Sequence, residues 1–205
     1  MAPRAGLAEN RKRALIGAAL LEISERGSLE VTVAQIARRA GVSPALAHHY
    51  FGGKDDLILA TMRHLLTRFR VDVVARLKAA GTPRERISAI LRASFGPEQF
   101  DDSTVNTWLT FYTWALSSPG AARLLSVYHR RLRRNLVHAF RDLTGRAEAE
   151  RIAGALGAYI DGVYLREVLR SGPPDAGAAV AGLEHYVDME LAQAENQKIS
   201  GVGAP

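Results

Sequence analysis

The sequence predicts an all-α protein, with a three-helix head over residues 1–53 and a six-helix body over residues 54–194. Three observations predict it. Apolar residues recur at helical spacing almost throughout, and no stretch alternates apolar with polar as a half-buried strand does. The breaks are made by glycine, proline and helix-capping residues. The 205 residues, 47% hydrophobic and 23% charged, suffice for a real core without a disulfide or metal staple.

The elements follow in order. Leu15, Ala19 and Ile23, with Ile16 and Leu20 beside them, form one apolar face, with Arg11, Lys12, Glu22 and Glu25 off it. Gly27 ends this first helix. Thr32 and Gln35 form a capping box for a short second helix, whose inner face is Ile36, Ala37 and Ala40. Gly41 stops it. Ser43 reads as the next N-cap and Pro44 as the first helical position, where proline is tolerated. Gly52-Gly53 closes this third helix. Lys54-Asp55-Asp56 opens a longer one through Leu57, Met62, Leu65, Leu66, Phe69, Val73 and Leu77. Gly81 ends it, and Thr82-Pro83 with Glu85 is another capped start, closed at Gly96-Pro97. Further helices are expected over about 102–117, 119–143, 147–171 and 174–194. The tail, 195–205, lacks periodicity and is expected to be disordered. There is no repeat and no low-complexity linker.

Composition excludes several classes. Cysteine is absent, so there is no disulfide framework, thiolate metal site or cysteine nucleophile. That absence fits a reducing compartment and a cytoplasmic location. No apolar run approaches 18 residues, so no membrane span is expected. Glu9, Glu22 and Glu25 argue against a signal peptide at the N-terminus. No G-x-S-x-G, H-E-x-x-H, P-loop or dinucleotide fingerprint is present, so an enzyme is not expected. Residues 1–54 hold eight Lys or Arg against four Asp or Glu, whereas the other 151 hold nineteen against seventeen. The excess of positive charge therefore sits at the N-terminal end, which suits a polyanionic partner.

Residues Thr32 to Phe51 have the layout of a helix-turn-helix. A short helix, a tight turn at Gly41-Val42-Ser43 and a second short helix can place that second helix in a major groove; an ordinary helical hairpin has the same outline. The stretch VTVAQIARRAGVSPALAHHYFGGKDDL goes further. It resembles the DNA-binding head of the TetR family of bacterial repressors. Thr32, Ile36, Ala37, Ala40, Gly41, Val42, Ser43, Tyr50, Phe51, Lys54 and Leu57 stand where the family pattern asks. Two residues depart from it: Ala45 replaces the usual glycine, and His48 the usual first aromatic.

The resemblance implies a role for each position. Lys54, Tyr50 and Thr32 would meet backbone phosphates, which position the head without reading sequence. Ser43, Pro44, Ala45, His48 and His49 would face the bases, Pro44 and Ala45 through apolar contact such as a thymine methyl. The alternative for Tyr50 is a core aromatic. His48 and His49 point about 100° apart on a helix and do not make a metal pair, and neither metal nor cofactor is expected. Arg4, Arg11, Lys12 and Arg13 either touch phosphate or form a solvated arm.

In the body, four of the fourteen aromatic residues lie within WLTFYTW. Trp108, Phe111, Tyr112 and Trp114 cover an arc of roughly 160° on a helix. They either fill core or cage a ligand, and Tyr128 and Tyr164 could join such a cage. Asp161 sits in the apolar stretch AYIDGVYL. A buried carboxylate needs a partner, which could be an arginine of the body or a cationic ligand. A carboxylate beside aromatic faces suits a quaternary ammonium. The resemblance extends from about residue 9 to 192, towards the choline-responsive repressors of that family. It is carried by AQIARRAGVS, HYF, ATMR, the Trp108–Phe111 segment, Arg130–Val137 and Ile160–Arg166. It implies a small-molecule effector, choline or another quaternary amine, and a homodimer on palindromic operator DNA. The small residues Ala153, Gly154, Ala155, Gly157 and Ala158, with the last helix, would form the dimer face. Arg130, Arg131, Arg133 and Arg134 read as a solvated or salt-bridged face.

Overall fold

The computed structural model describes residues 3–97 and 99–201. Among them are nine α-helices and no strand: α1 (Pro3–Arg26), α2 (Val33–Arg39), α3 (Pro44–Phe51), α4 (Lys54–Ala79), α5 (Pro83–Ser94), α6 (Asp102–Ala115), α7 (Pro119–Thr144), α8 (Arg146–Val168) and α9 (Ala176–Gly201).

The helix starts are made by the expected local chemistry. Thr32 Oγ1 accepts from Gln35 N at 3.2 Å, and Thr32 N donates to Gln35 Oε1 at 2.8 Å. Thr82 and Glu85 repeat the exchange at α5. Such reciprocal caps satisfy two backbone donors that the helix leaves open. Ser43 Oγ accepts from Leu46 N at 3.2 Å, with Pro44 in the first turn of α3. Between α2 and α3 the chain reverses at Gly41, whose φ of +67° is one that a side chain would strain.

One expectation is corrected. The last helix does not stop near residue 194 but runs on to Gly201. The segment 195–200 contains no glycine or proline to break it, and Lys198 Nζ donates to the Leu143 carbonyl at 2.7 Å. Residues 202–205 of the expected tail lie outside the described ones.

The chain forms two compact units. The first comprises Met1–Arg68 and Asp101–Leu125, and so contains the whole of the expected head together with the start of α4, all of α6 and the start of α7. Here α1 packs on α6 and α2, and α2 on α3. Leu15, Ala19, Ile23, Ile36, Ala37, Leu57, Met62 and Phe111 are fully buried. Thr107 Oγ1 of α6 lies 3.5 Å from the Leu20 carbonyl of α1. Arg39 of α2 pairs with Glu22 of α1 at 2.9 Å and donates to Glu25 at 2.7 Å.

The second unit comprises Phe69–Phe100 and Ser126–Pro205. α9 packs on α8 and α5. Ile87, Ile90, Leu136, Phe140, Ile152, Leu156, Ile160, Leu183 and Val187 form its core. Arg84 of α5 pairs with Glu184 and Asp188 of α9, and Arg151 of α8 with Glu190 of α9. Tyr164 is buried between Phe95 and Phe100, with ring centroids at 5.6 and 5.1 Å. Its hydroxyl donates to the Ser94 carbonyl at 2.5 Å, with the Gln99 carbonyl at 3.1 Å.

Tyr164→Phe removes that donor and leaves buried carbonyls short of a partner. It should destabilise the protein by about 1–2 kcal/mol. Urea denaturation measures this, and an unchanged midpoint would show that water replaces the hydroxyl.

Candidate nucleic-acid interface and effector residues

The cap at Ser43 fixes where α3 begins, and hence which face it presents. Pro44, Ala45, His48 and His49 are all exposed, while Ala47 is buried against the rest of the head. At 100° per residue the four exposed positions span about 140°. Thr32 and Ser43 are exposed at the ends of α2 and α3, their oxygens accepting cap bonds. Each hydroxyl hydrogen is left to donate to an anion. Lys54 is the first residue of α4 and makes no ion pair among the described residues.

Tyr50 lies between the two readings open to it. It is half-buried, with the His49 ring at 5.6 Å and the Lys12 ammonium 5.8 Å over its own ring. Packing thus brings Lys12 of α1 to the end of α3. The Arg4 side chain lies outside the described residues, whereas Arg11 and Arg13 are exposed. Arg38, which the sequence did not mark, is exposed on α2 without an ion pair among the described residues. Its neighbour Arg39 is committed to the fold. Its hydrogen bond to Glu25 raises the guanidinium's pKa and holds the Glu25 carboxyl below the usual range. Among the described residues, no three His, Asp or Glu side chains are placed to hold a metal.

The effector candidates divide between the two units. In the first, Phe111 is wholly buried and Trp108 nearly so. Trp108 meets Phe111 edge-on at 6.3 Å and Tyr112 at 5.9 Å. Tyr112 and Trp114 are half-exposed. In the second, Asp161 is less buried than its apolar neighbours imply, its side chain being 36% exposed. Its partner within this unit is a histidine, His129 of α7, at 3.4 Å. Sequence reasoning missed His129, which lies 32 residues away with no local pattern to mark it. The ring of Tyr128 sits edge-on to Phe69 at 5.6 Å. Its phenol is pushed upward, first by burial and then by the negative charge of Asp161. That second cause places Asp161 and Tyr128 in one electrostatic neighbourhood. Tyr164 is engaged with Ser94, Phe95 and Phe100.

A capped short helix presented by a tight glycine turn, with cations beside it, has the form of a helix-turn-helix, and comparison with known proteins makes it that of a DNA-binding regulator. Residues 15–61 match the family of bacterial regulatory proteins named after TetR, and residues 83–192 match the BetI-type transcriptional repressor C-terminal domain. The chain is 54% identical over 189 residues to the HTH-type transcriptional regulator BetI of Brucella melitensis, covering 92% of this chain and 96% of that one. The BetI regulator of Rhizobium meliloti is 51% identical over the same length, 93% of its chain. Among solved structures, a transcriptional regulator from Pseudomonas aeruginosa superposes with a TM-score of 0.73 at 29% identity, covering 92% of this chain and 94% of that one. One from Saccharomonospora viridis, solved in complex with choline, has the same fold, with a TM-score of 0.74 at 22% identity over 86% and 95% of the two chains. The chain belongs to the TetR family of bacterial transcriptional regulators, in the group with a BetI-type C-terminal domain. It is a ligand-responsive transcriptional repressor.

Lys54→Ala should weaken binding to every DNA sequence alike and lower the salt slope of binding by about one, the loss of one phosphate contact. Fluorescence anisotropy at several salt concentrations reads both. An unaltered slope would remove Lys54 from the phosphate contacts.

Proposed function

We propose that this chain acts in the cytoplasm as a homodimer, holding a palindromic operator until choline or another quaternary amine binds the body. The observation that carries the reading is the match along nearly the whole chain to BetI regulators, body included. The choline complex of a regulator with the same fold supports the ligand class.

The second unit supplies chemistry suited to such a ligand. A quaternary ammonium has no hydrogen to donate, so it is recognised by negative charge and aromatic faces. Asp161 provides the charge, and Tyr128 a ring within its field. The His129 ring lies beside Asp161, its Nε2 at 3.4 Å from the carboxylate. The reading for the α6 aromatics is different: Trp108 and Phe111 serve first as packing for a helix that lies on α1 of the head.

Exposed apolar side chains support the dimer. Tyr159 and Leu165 of α8, Leu169 at its C-terminal cap and Met189 of α9 are between 42% and 76% exposed. The glycines 154, 157 and 162 of α8 have open space where a side chain would stand. An open groove on α9 is lined by Met189, Ala192, Gln193, Asn196 and Gln197. Exposed apolar side chains of this kind are what a subunit interface covers. A twofold dimer offers two α3 helices to two half-sites about one helical turn apart. Ligand then acts by favouring states in which the heads no longer match that spacing. It shifts the equilibrium only by its differential affinity, typically about 1–3 kcal/mol. α4 runs unbroken from Lys54 to Ala79 and belongs to both units, which suits it to carry the change.

Anisotropy against DNA from upstream of the chain's own gene, with and without millimolar choline, tests the proposal. Tight binding released by choline is expected. Binding that ignores choline but yields to another ligand would overturn the effector class alone. Asp161→Asn should keep its DNA affinity and lose much of the choline response; a normal response would place the ligand elsewhere. Leu165→Glu with Leu169→Glu should give monomers in sedimentation and weaken operator binding by at least about tenfold. Persistent dimers would exclude this face.

A further inference from the structure

α3 ends in an uncommon turn. Gly52 has φ +78° and ψ −79°, and Gly53 N donates to the Phe51 carbonyl at 3.1 Å. This is a γ-turn of the positive-φ kind, rare and strained, and glycine tolerates it best. The turn swings the Gly52 carbonyl back onto the helix, where it lies 2.8 Å from His48 Nδ1. Gly52 N in turn donates to the His48 carbonyl at 2.7 Å. Residues 48 and 52 are thus tied to each other twice.

A carbonyl oxygen only accepts, so Nδ1 carries the hydrogen. In a neutral imidazole the other nitrogen then has a lone pair and no hydrogen. His48 is exposed on the face that also carries Pro44 and Ala45, and its Nε2 has no partner among the described residues. Pro44 and Ala45 offer the bases only apolar surface. The centre of this face therefore presents a polar group of fixed sense, an acceptor held by the turn behind it.

We propose that His48 reads an exocyclic amine in the major groove, sorting the bases at one position of each half-site into amino (adenine, cytosine) and keto (guanine, thymine). This rests on the DNA-binding reading above. Adenine N6 and cytosine N4 are the hydrogen-bond donors of the major groove, whereas guanine N7 and O6 and thymine O4 accept. Every base pair has one such amine, on one strand only. His48 therefore senses which strand bears it. A·T and C·G satisfy it equally, while T·A and G·C set an acceptor against its lone pair. An unmatched polar pair in a closed interface costs more than its absence would. The specificity is coarse, two bases of four, and the apolar contacts of Pro44 and Ala45 divide the pair further.

Selection from a library of randomised duplexes tests this, with the full chain at about pH 8, above the ordinary imidazole range. Wild type should enrich adenine or cytosine over guanine or thymine at one position per half-site by about tenfold. His48→Ala, an exposed change to a good helix former, should lose that preference while the enrichment at the other positions of the site persists. Replacing adenine there by purine, which deletes only the amine, should weaken wild type by a smaller factor, because no acceptor then opposes the lone pair, and leave His48→Ala unaffected. A His48-dependent preference for guanine or thymine would overturn the assigned polarity. Identical profiles for the two proteins would remove His48 from base reading. If neither protein enriches any sequence, the DNA-binding reading itself falls, and this assignment with it.

Discussion

Leu15, Ala19 and Ile23 line the inner face of α1 and are completely buried. A seven-residue α2 and an eight-residue α3 are too small to cover that face by themselves. Much of the cover comes from α6, which packs along α1 and brings Thr107 to the Leu20 carbonyl. The DNA-binding head is therefore completed by a helix from far along the chain, and that helix is the most aromatic of the nine described. Anything that moves α6 acts on the scaffold of α3, because α1, α2 and α3 are packed in series. The constraint is one of core size.

On this scaffold the recognition helix gains precision from being short. Ser43 and Gly52 bound it, with eight residues between them. Its inner side is the small buried Ala47, and its outer side is almost free of flexible side chains. Long lysines or arginines there would bring affinity without a fixed hydrogen-bond sense. The cations stand at the rim instead: Lys12 over Tyr50, Lys54 at the start of α4, and Arg38 on α2. Phosphate attraction tolerates flexible groups, because it depends on charge more than angle. Base reading requires a held one.

The second unit follows a different rule. Its helices are tied by charged pairs between α9 and its neighbours α5 and α8, at sites that are partly exposed. Such pairs add little net stability and act more through geometry, holding helices in register. Stability comes from the aliphatic core around Ile90, Leu156 and Leu183. Exposed apolar side chains remain on α8 and α9, and Asp161 stands beside His129.

The helices themselves were legible in the sequence, because their signals are local. A cap, a period and a glycine stop each act within a few residues; Thr32–Gln35, Ser43–Pro44 and Thr82–Glu85 all do what their spacing predicts. The candidates on α3 and Lys54 came instead from the resemblance of Thr32–Leu57 to the TetR head. What the sequence alone could not show depends on residues distant in the chain. Thr107 reaches Leu20 across 87 positions, Asp161 finds His129, and Lys198 holds the end of α9 by a carbonyl 55 residues away. Even the fixed sense of His48 needed coordinates, for it depends on where one carbonyl points after a glycine turn. Local backbone preference decides which segments are helices. Only the packing of their apolar faces decides which side chains meet, and that packing is a property of the whole chain.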